Sequence, residues 1–302
     1  DATTGWTPSS DIANALDHIP PPTQKGVFAY GSTSGVVSLK NLLGSNGVIA
    51  ADVTGVGTAR QQIGATSYGG DKAIFAYGYT GGYVNMSNLV NTSGVIAADV
   101  TGVGTARYKV AAARFGGDKG IFAYGMKGGD ALTNVSNLVS NSGVVATDAT
   151  GVGTARVITA GVGYGGDKAI FAFGNSASAG DYSLKNLVSN TGVIGSDVTG
   201  VGTARGALAA VSYGVGLAIY TYGIDAAGTY YTVRNLVSNV GVVAADASGA
   251  GTGRSFLATA AYGGDKGAIA YGTTGTKVST KNLVSNTGVV AADVSGVGTA
   301  TL

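Results

Sequence analysis

The sequence contains no cysteine. That excludes a disulfide framework and thiolate chemistry, and it leaves the compartment open. Glutamate is also missing: all 16 acidic residues are aspartate. There are four prolines, three of them consecutive at Pro20, Pro21 and Pro22. His18 is the single histidine, so a Ser-His-Asp triad or a histidine-based metal site would have to use it. Its irregular surroundings point instead to a turn or rim position. Charged residues make up 11%, against about 25% in an ordinary soluble domain. The net charge is +2 and no basic run occurs, so nucleic acid is not expected as a partner. No apolar run reaches membrane-spanning length, so membrane insertion is not expected. The opening DATTGWTPSS lacks a basic start and an apolar centre, so no secretory signal is expected there. What is abundant is glycine, 53 of 302 residues, with much Ala, Val and Thr. That describes a compact β-rich protein.

The dominant feature is a repeat. NLVNTSGVIAADVTGVGTAR, residues 88–107, recurs in close copies from Asn41, Asn137, Asn186, Asn235 and Asn282. The leading asparagines are 47, 49, 49, 49 and 47 residues apart. Repeats at such a period decide the architecture before any other reading.

Residues 60–106 show one full unit. A run of small and apolar residues at 61–68 precedes a Gly-Gly-Asp turn. Strands are expected at 72–77, 83–90 and 95–100, with a loop at 78–82, a turn at 91–94 and an exit loop at 101–105. No stretch carries a helical period. Six four-stranded antiparallel meanders in tandem predict an all-β, six-bladed β-propeller spanning residues 25–302. Stacking around an axis buries the faces that one meander leaves open. Small residues in the first segment, such as GATS at 64–67 and AAA at 111–113, suit strands crowded near that axis. An open solenoid or a β-prism is the alternative. Residues 1–24 form an irregular N-terminal segment, in which 11–19 take the place of the first unit's inner strand.

The repeats resemble kelch propellers. Arg60, Arg107, Arg156, Arg205 and Arg254 stand where a kelch arginine enters the inner strand. The second strand ends in an aromatic-Gly pair, as in Tyr77-Gly78, where kelch has a di-glycine. The outer-strand tryptophan of that family is absent. The runs YGGDKAIFAYG and NLVSNTGVVAADVSGVGTAT also resemble repeats of virion and tail-associated proteins of bacteriophages of aquatic bacteria, over residues 25–301. That resemblance implies a structural or receptor-binding part of a particle, in a virion or extracellular setting. Its partners would be other virion proteins or a host cell-surface glycan, within a homo-oligomer or larger assembly.

Asp52, Asp99, Asp148, Asp197, Asp246 and Asp293 form a six-fold set, and each of the first five precedes an arginine by eight residues. A feature present in every unit is expected to be structural, with arginine forking onto carboxylate or loop carbonyls. A ring of cation sites is the other reading, without support from an EF-hand pattern. No cofactor motif stands: GVGTAR recurs too often and precedes no helix, so it reads as a turn. The units differ most in the 9–11 residues before each Asn-Leu. These stretches gather Tyr79, Tyr83, Lys127, Asp130, Asp181, Tyr182, Asp225, Tyr230 and Tyr231. A constant frame with variable loop tips is how binding surfaces are built. Neutral drift of exposed loops is the competing explanation. The expected function is non-enzymatic binding. A secreted bacterial adhesin or surface-assembly protein, and a carbohydrate hydrolase using an Asp pair, remain as alternatives.

Overall fold

The computed structural model describes residues 23–176 and 180–302. His18 and the strand expected at 11–19 lie outside the described residues. The chain is all-β, built from repeated small antiparallel sheets. We number the units by their asparagines, from Asn41 in unit 1 to Asn282 in unit 6.

Unit 1 pairs β1 (Gly26–Ser32) with β2 (Val36–Leu43). Unit 2 has the order β3 (Gly64–Tyr68), β4 (Lys72–Tyr79), β5 (Tyr83–Val90). Units 3 to 6 repeat that three-stranded order. The central strand of each is buried on both faces: Ile74, Phe75, Ala76 and Tyr77 in β4 all lie inside. A continuous apolar run suits a strand covered on both sides. The inner strand Ala111–Phe115 alternates instead, with Ala111, Ala113 and Phe115 buried and Ala112 and Arg114 half-buried between them.

The fourth strand expected at 95–100 is not a strand. Two isolated bridges hold that segment to β5, Val90 to Ile96 and Ser87 to Val100. The two bridges are one residue out of register. The extra residue breaks the ladder, as in a β-bulge. The Asn88 side chain spans the gap, donating to the Ala97 carbonyl at 3.0 Å and to Asp99 at 2.9 Å. The same pair of bridges recurs in all six units.

Each apolar cluster straddles two units. Tyr68, Ile74 and Tyr77 of unit 2 pack with Val110, Phe122 and Val139 of unit 3. Phe28, Leu43 and Ile49 of unit 1 pack with Tyr262, Ala268 and Tyr271 of unit 6. The Gly-Gly-Asp turns add a chain of backbone bonds at one end of the sheets. Gly69 donates to the Asp118 carbonyl at 2.7 Å, Gly116 to Asp167 at 2.7 Å and Gly263 to Gln24 at 3.0 Å. The last of these again joins unit 6 to unit 1. The other end carries the variable loops and the exit loops.

Candidate functional site

The exit loops converge on a buried arginine. Arg60 is fully buried between units 1 and 2. Its guanidinium carbon lies 4.3 Å from the centroid of the Tyr30 ring. Nε donates to the Tyr77 carbonyl at 3.0 Å, Nη1 to the Thr58 carbonyl at 3.1 Å and Nη2 to Asn88 Oδ1 at 2.6 Å. Local backbone geometry makes this possible. Tyr77 has φ 65°, and the β4–β5 register slips between Ala76 and Gly78. The aromatic-Gly pair is thus a bulge that turns a carbonyl toward the arginine. Gly78 follows at φ 117°, where a Cβ would sit 2.7 Å from Ile63.

The arrangement recurs at Arg107, Arg156, Arg205 and Arg254, over Tyr77, Tyr124, Phe173 and Tyr222. A planar five-donor head that also stacks on a ring is what arginine offers and lysine does not. Burial pushes the Arg205 guanidinium down to about 10, so it stays charged at neutral pH.

The aspartates sit beside these arginines, but not as the eight-residue spacing suggests. Arg60 faces Asp99 at 3.8 Å rather than Asp52, and Arg156 faces Asp197 at 3.8 Å. The nearer Asp in sequence belongs to the preceding unit. Nor does the arginine fork onto the carboxylate. Asp99 is taken by Thr58, whose hydroxyl donates at 2.6 Å and whose N–H donates at 3.0 Å, and by Asn88. Burial pushes the Asp99 carboxyl up, but these hydrogen bonds and the nearby arginine outweigh it and hold it below the usual range. The set is built for holding the exit loop of one unit to the next. Among the described residues, no three of His, Cys, Asp or Glu are grouped to hold a metal ion.

The variable loops present a different chemistry. Tyr79 and Tyr83 meet Tyr108, with ring centroids 5.8, 5.5 and 5.3 Å apart. All three rings are half-buried. Tyr83 donates to Asp130 Oδ1 of the next unit at 2.6 Å. That hydrogen bond, with burial and the carboxylate charge, pushes the Tyr83 phenol up to about 12. Asp130 closes a tight Gly128–Asp130 turn and is exposed, as is Lys127. Lys109 Nζ lies 5.1 Å from the Tyr108 centroid, and the Tyr108 hydroxyl meets Met126 Sδ at 3.3 Å.

The remaining loop residues are mostly engaged with one another. Asp181 accepts from Asn175 at 3.0 Å and from the Ala226 N–H of the next unit at 2.5 Å. Tyr182 donates to Ser176. Asp225 accepts from Tyr231 and from Thr229 N–H, both at 2.8 Å. Tyr230 is half-buried and bridges to Ile224. So the structure gathers Tyr79, Tyr83, Lys127 and Asp130 in one place, and Asp181, Tyr182, Asp225 and Tyr231 around another pair of loops. Tyr108 and Lys109 were not expected at the first place. They follow Arg107, outside the stretches before each Asn-Leu. The signal was available, since the residue after each arginine is Gln61, Tyr108, Val157, Gly206 and Ser255, different in every unit.

No protein-family model matches this chain, and no curated protein matches it.

Proposed function

We propose that the chain is a kelch-like, six-bladed β-propeller that acts without catalysis, as a virion- or tail-associated structural or receptor-binding protein. Its variable-loop face binds a cell-surface glycan. The propeller reading is supported by the cluster joining Phe28 to Tyr271 and by the Gly263–Gln24 bond, which link the sixth unit to the first.

The observation that carries the binding reading is the tyrosine trio. Tyr79, Tyr83 and Tyr108 offer apolar ring surface with polar tips at a loop face. A pyranose ring has a face of C–H groups that stacks on such rings, and a rim of hydroxyls. Asp130 and Lys109 stand beside the rings to take and give hydrogen bonds to that rim. A few polar groups placed around aromatic surface are what orient a small ligand. The Asp–Arg set is fully engaged in holding exit loops, which favours binding over hydrolysis.

A glycan array, followed by product analysis of any bound sugar, tests this reading. Binding without turnover, lost in Tyr83→Ala and Tyr108→Ala, is expected. Retention of every glycan signal in both variants would sink the site. Copurification with virions tests the setting. A density map with a blade number other than six would overturn the architecture.

A further inference from the structure

Five junctions between units carry the arginine, and the sixth does not. Thr301 follows Thr299 as Arg60 follows Thr58. Yet the groups that hold an arginine elsewhere recur there. Thr299 donates its N–H and hydroxyl to Asp52 at 2.9 and 2.5 Å, as Thr252 does to Asp293 at 2.9 and 2.7 Å. Asn41 donates to Asp52 at 2.8 Å, as Asn282 does to Asp293 at 2.9 Å. Tyr271 stands where Tyr222 stands under Arg254, in the left-handed region at φ 64° against 61°. Tyr30, Asn41, Asp52, Tyr271, Thr299 and Thr301 all line a cavity of about 290 Å³.

Two polar groups in this junction lack the partner that their counterparts have. The Tyr271 side chain is 4% exposed, and its hydroxyl makes no hydrogen bond. The Tyr222 hydroxyl donates to the Ala250 carbonyl at 2.9 Å. Asn41 is buried, and its Nδ2 donates to the Ala50 carbonyl at 3.0 Å and to Asp52 at 2.8 Å. In the other five units the matching asparagine oxygen accepts from an arginine at 2.6–2.8 Å. Asn41 Oδ1 is therefore an open acceptor at a place where each counterpart takes a guanidinium N–H.

We propose that the junction between units 6 and 1 binds a guanidinium group, the head of an arginine brought by another molecule. The set of acceptors matches that head and not an ammonium. A planar fork can stack on Tyr271 while donating in its plane to Asn41 Oδ1 and to the Tyr30 and Thr299 carbonyls, with Asp52 balancing the charge. Lysine supplies the charge without the plane. Residues 1–24 contain neither Lys nor Arg. The guanidinium can come from a small molecule or from an incoming strand. Among the described residues, β2 is the one strand that pairs with β1, whose Ser32 also exchanges backbone bonds with Leu302 at 3.1 and 3.2 Å. Elsewhere the arginine leads into the inner strand, as Arg60 leads into β3. Lys109 lines the same cavity, but the proposal does not rest on the function proposed for the tyrosine trio.

Calorimetry on the full chain tests the proposal with L-arginine amide, L-lysine amide, a peptide of residues 59–68 and the same peptide carrying Arg60→Ala. Saturable binding of arginine amide is expected, with lysine amide about tenfold weaker or worse, the size of one hydrogen bond. Thr301→Arg fills the cavity from within, so it should abolish binding and raise the melting temperature. Asn41→Leu should weaken binding about tenfold or more, and it covers the case in which Thr301→Arg fails to fold. A peptide that binds more tightly than the amide, and loses binding with Arg60→Ala, identifies a polypeptide strand as the source. Equal affinities identify a small guanidinium compound. Arginine amide that fails to bind, is matched by lysine amide, or binds both variants unchanged overturns the proposal.

Discussion

The guanidinium of Arg107 lies 4.2 Å from the ring centroid of Tyr77, a residue of the neighbouring unit. One side chain therefore touches both sides of a junction, because Arg107 also donates to the Tyr124 carbonyl and to Asn137 on its own side. Arg107→Ala leaves both acceptors unpaired in a buried place. A loss of about 3 kcal/mol or more is expected in urea unfolding. Arg107→Lys should recover only part of it, since lysine lacks the fork. Full recovery by lysine would mean that charge alone matters.

Acid should destabilise the fold through the aspartates. At Asp52, Asp99, Asp148, Asp197, Asp246 and Asp293, burial pushes the carboxyl up, but threonine and asparagine hydrogen bonds outweigh it and hold each below its usual value. A carboxyl depressed in the folded state adds stability that is complete above its unfolded pKa, about 3.9, and is lost as the pH falls through the folded value. Urea midpoints should therefore hold steady above about pH 5 and drop below about pH 4. Midpoints that stay level to pH 2, or rise on acidification, contradict the assignment.

The Tyr83–Asp130 bond has a titration of its own. With the carboxylate accepting, the phenol is pushed up to about 12. In Asp130→Asn that phenolate should appear near its ordinary value of about 10. Near-ultraviolet absorbance of wild type, Asp130→Asn and Tyr83→Phe reads this directly. An unchanged curve in Asp130→Asn would show that the two loops do not meet in solution.

Glycines of the exit loop should not be interchangeable with those of the variable loop. Gly57 has φ 88°, and a Cβ there would sit 2.6 Å from both Asn88 Nδ2 and Asp99 Oδ1. Gly57→Ala should cost about 1–3 kcal/mol. Gly82 faces open space and has no positive φ. Gly82→Ala should change stability by less than about 0.5 kcal/mol. Equal effects would contradict the close approach at Gly57.

Much of the unit was readable in the sequence. The β5 span, 83–90, is the one expected, and β4 runs two residues past its expected end, through the bulge at Tyr77. Repetition did this, because six copies average out the ambiguity of one. The fourth strand was not readable, since nothing in GVIAADV announces a one-residue slip spanned by an asparagine of another segment. The Asp–Arg pairing was misread for a related reason. Eight residues of chain separate Asp52 from Arg60, but the loop between them crosses into the next unit, so the neighbour in space is Asp99. Tyr108 escaped notice because it adjoins a constant arginine, and constancy next door hid the variation at its own position.

The bonds at Arg60 and its four counterparts use only residues shared by the units, and none from the 9–11 residue loops. Loop length has already changed in units 3, 4 and 5 with the arginine still at 4.2–4.6 Å over its ring. The arginine frame therefore tolerates loops of different length. A loop moved between units keeps that frame but leaves behind its partners in the neighbouring unit, as Tyr83 would leave Asp130.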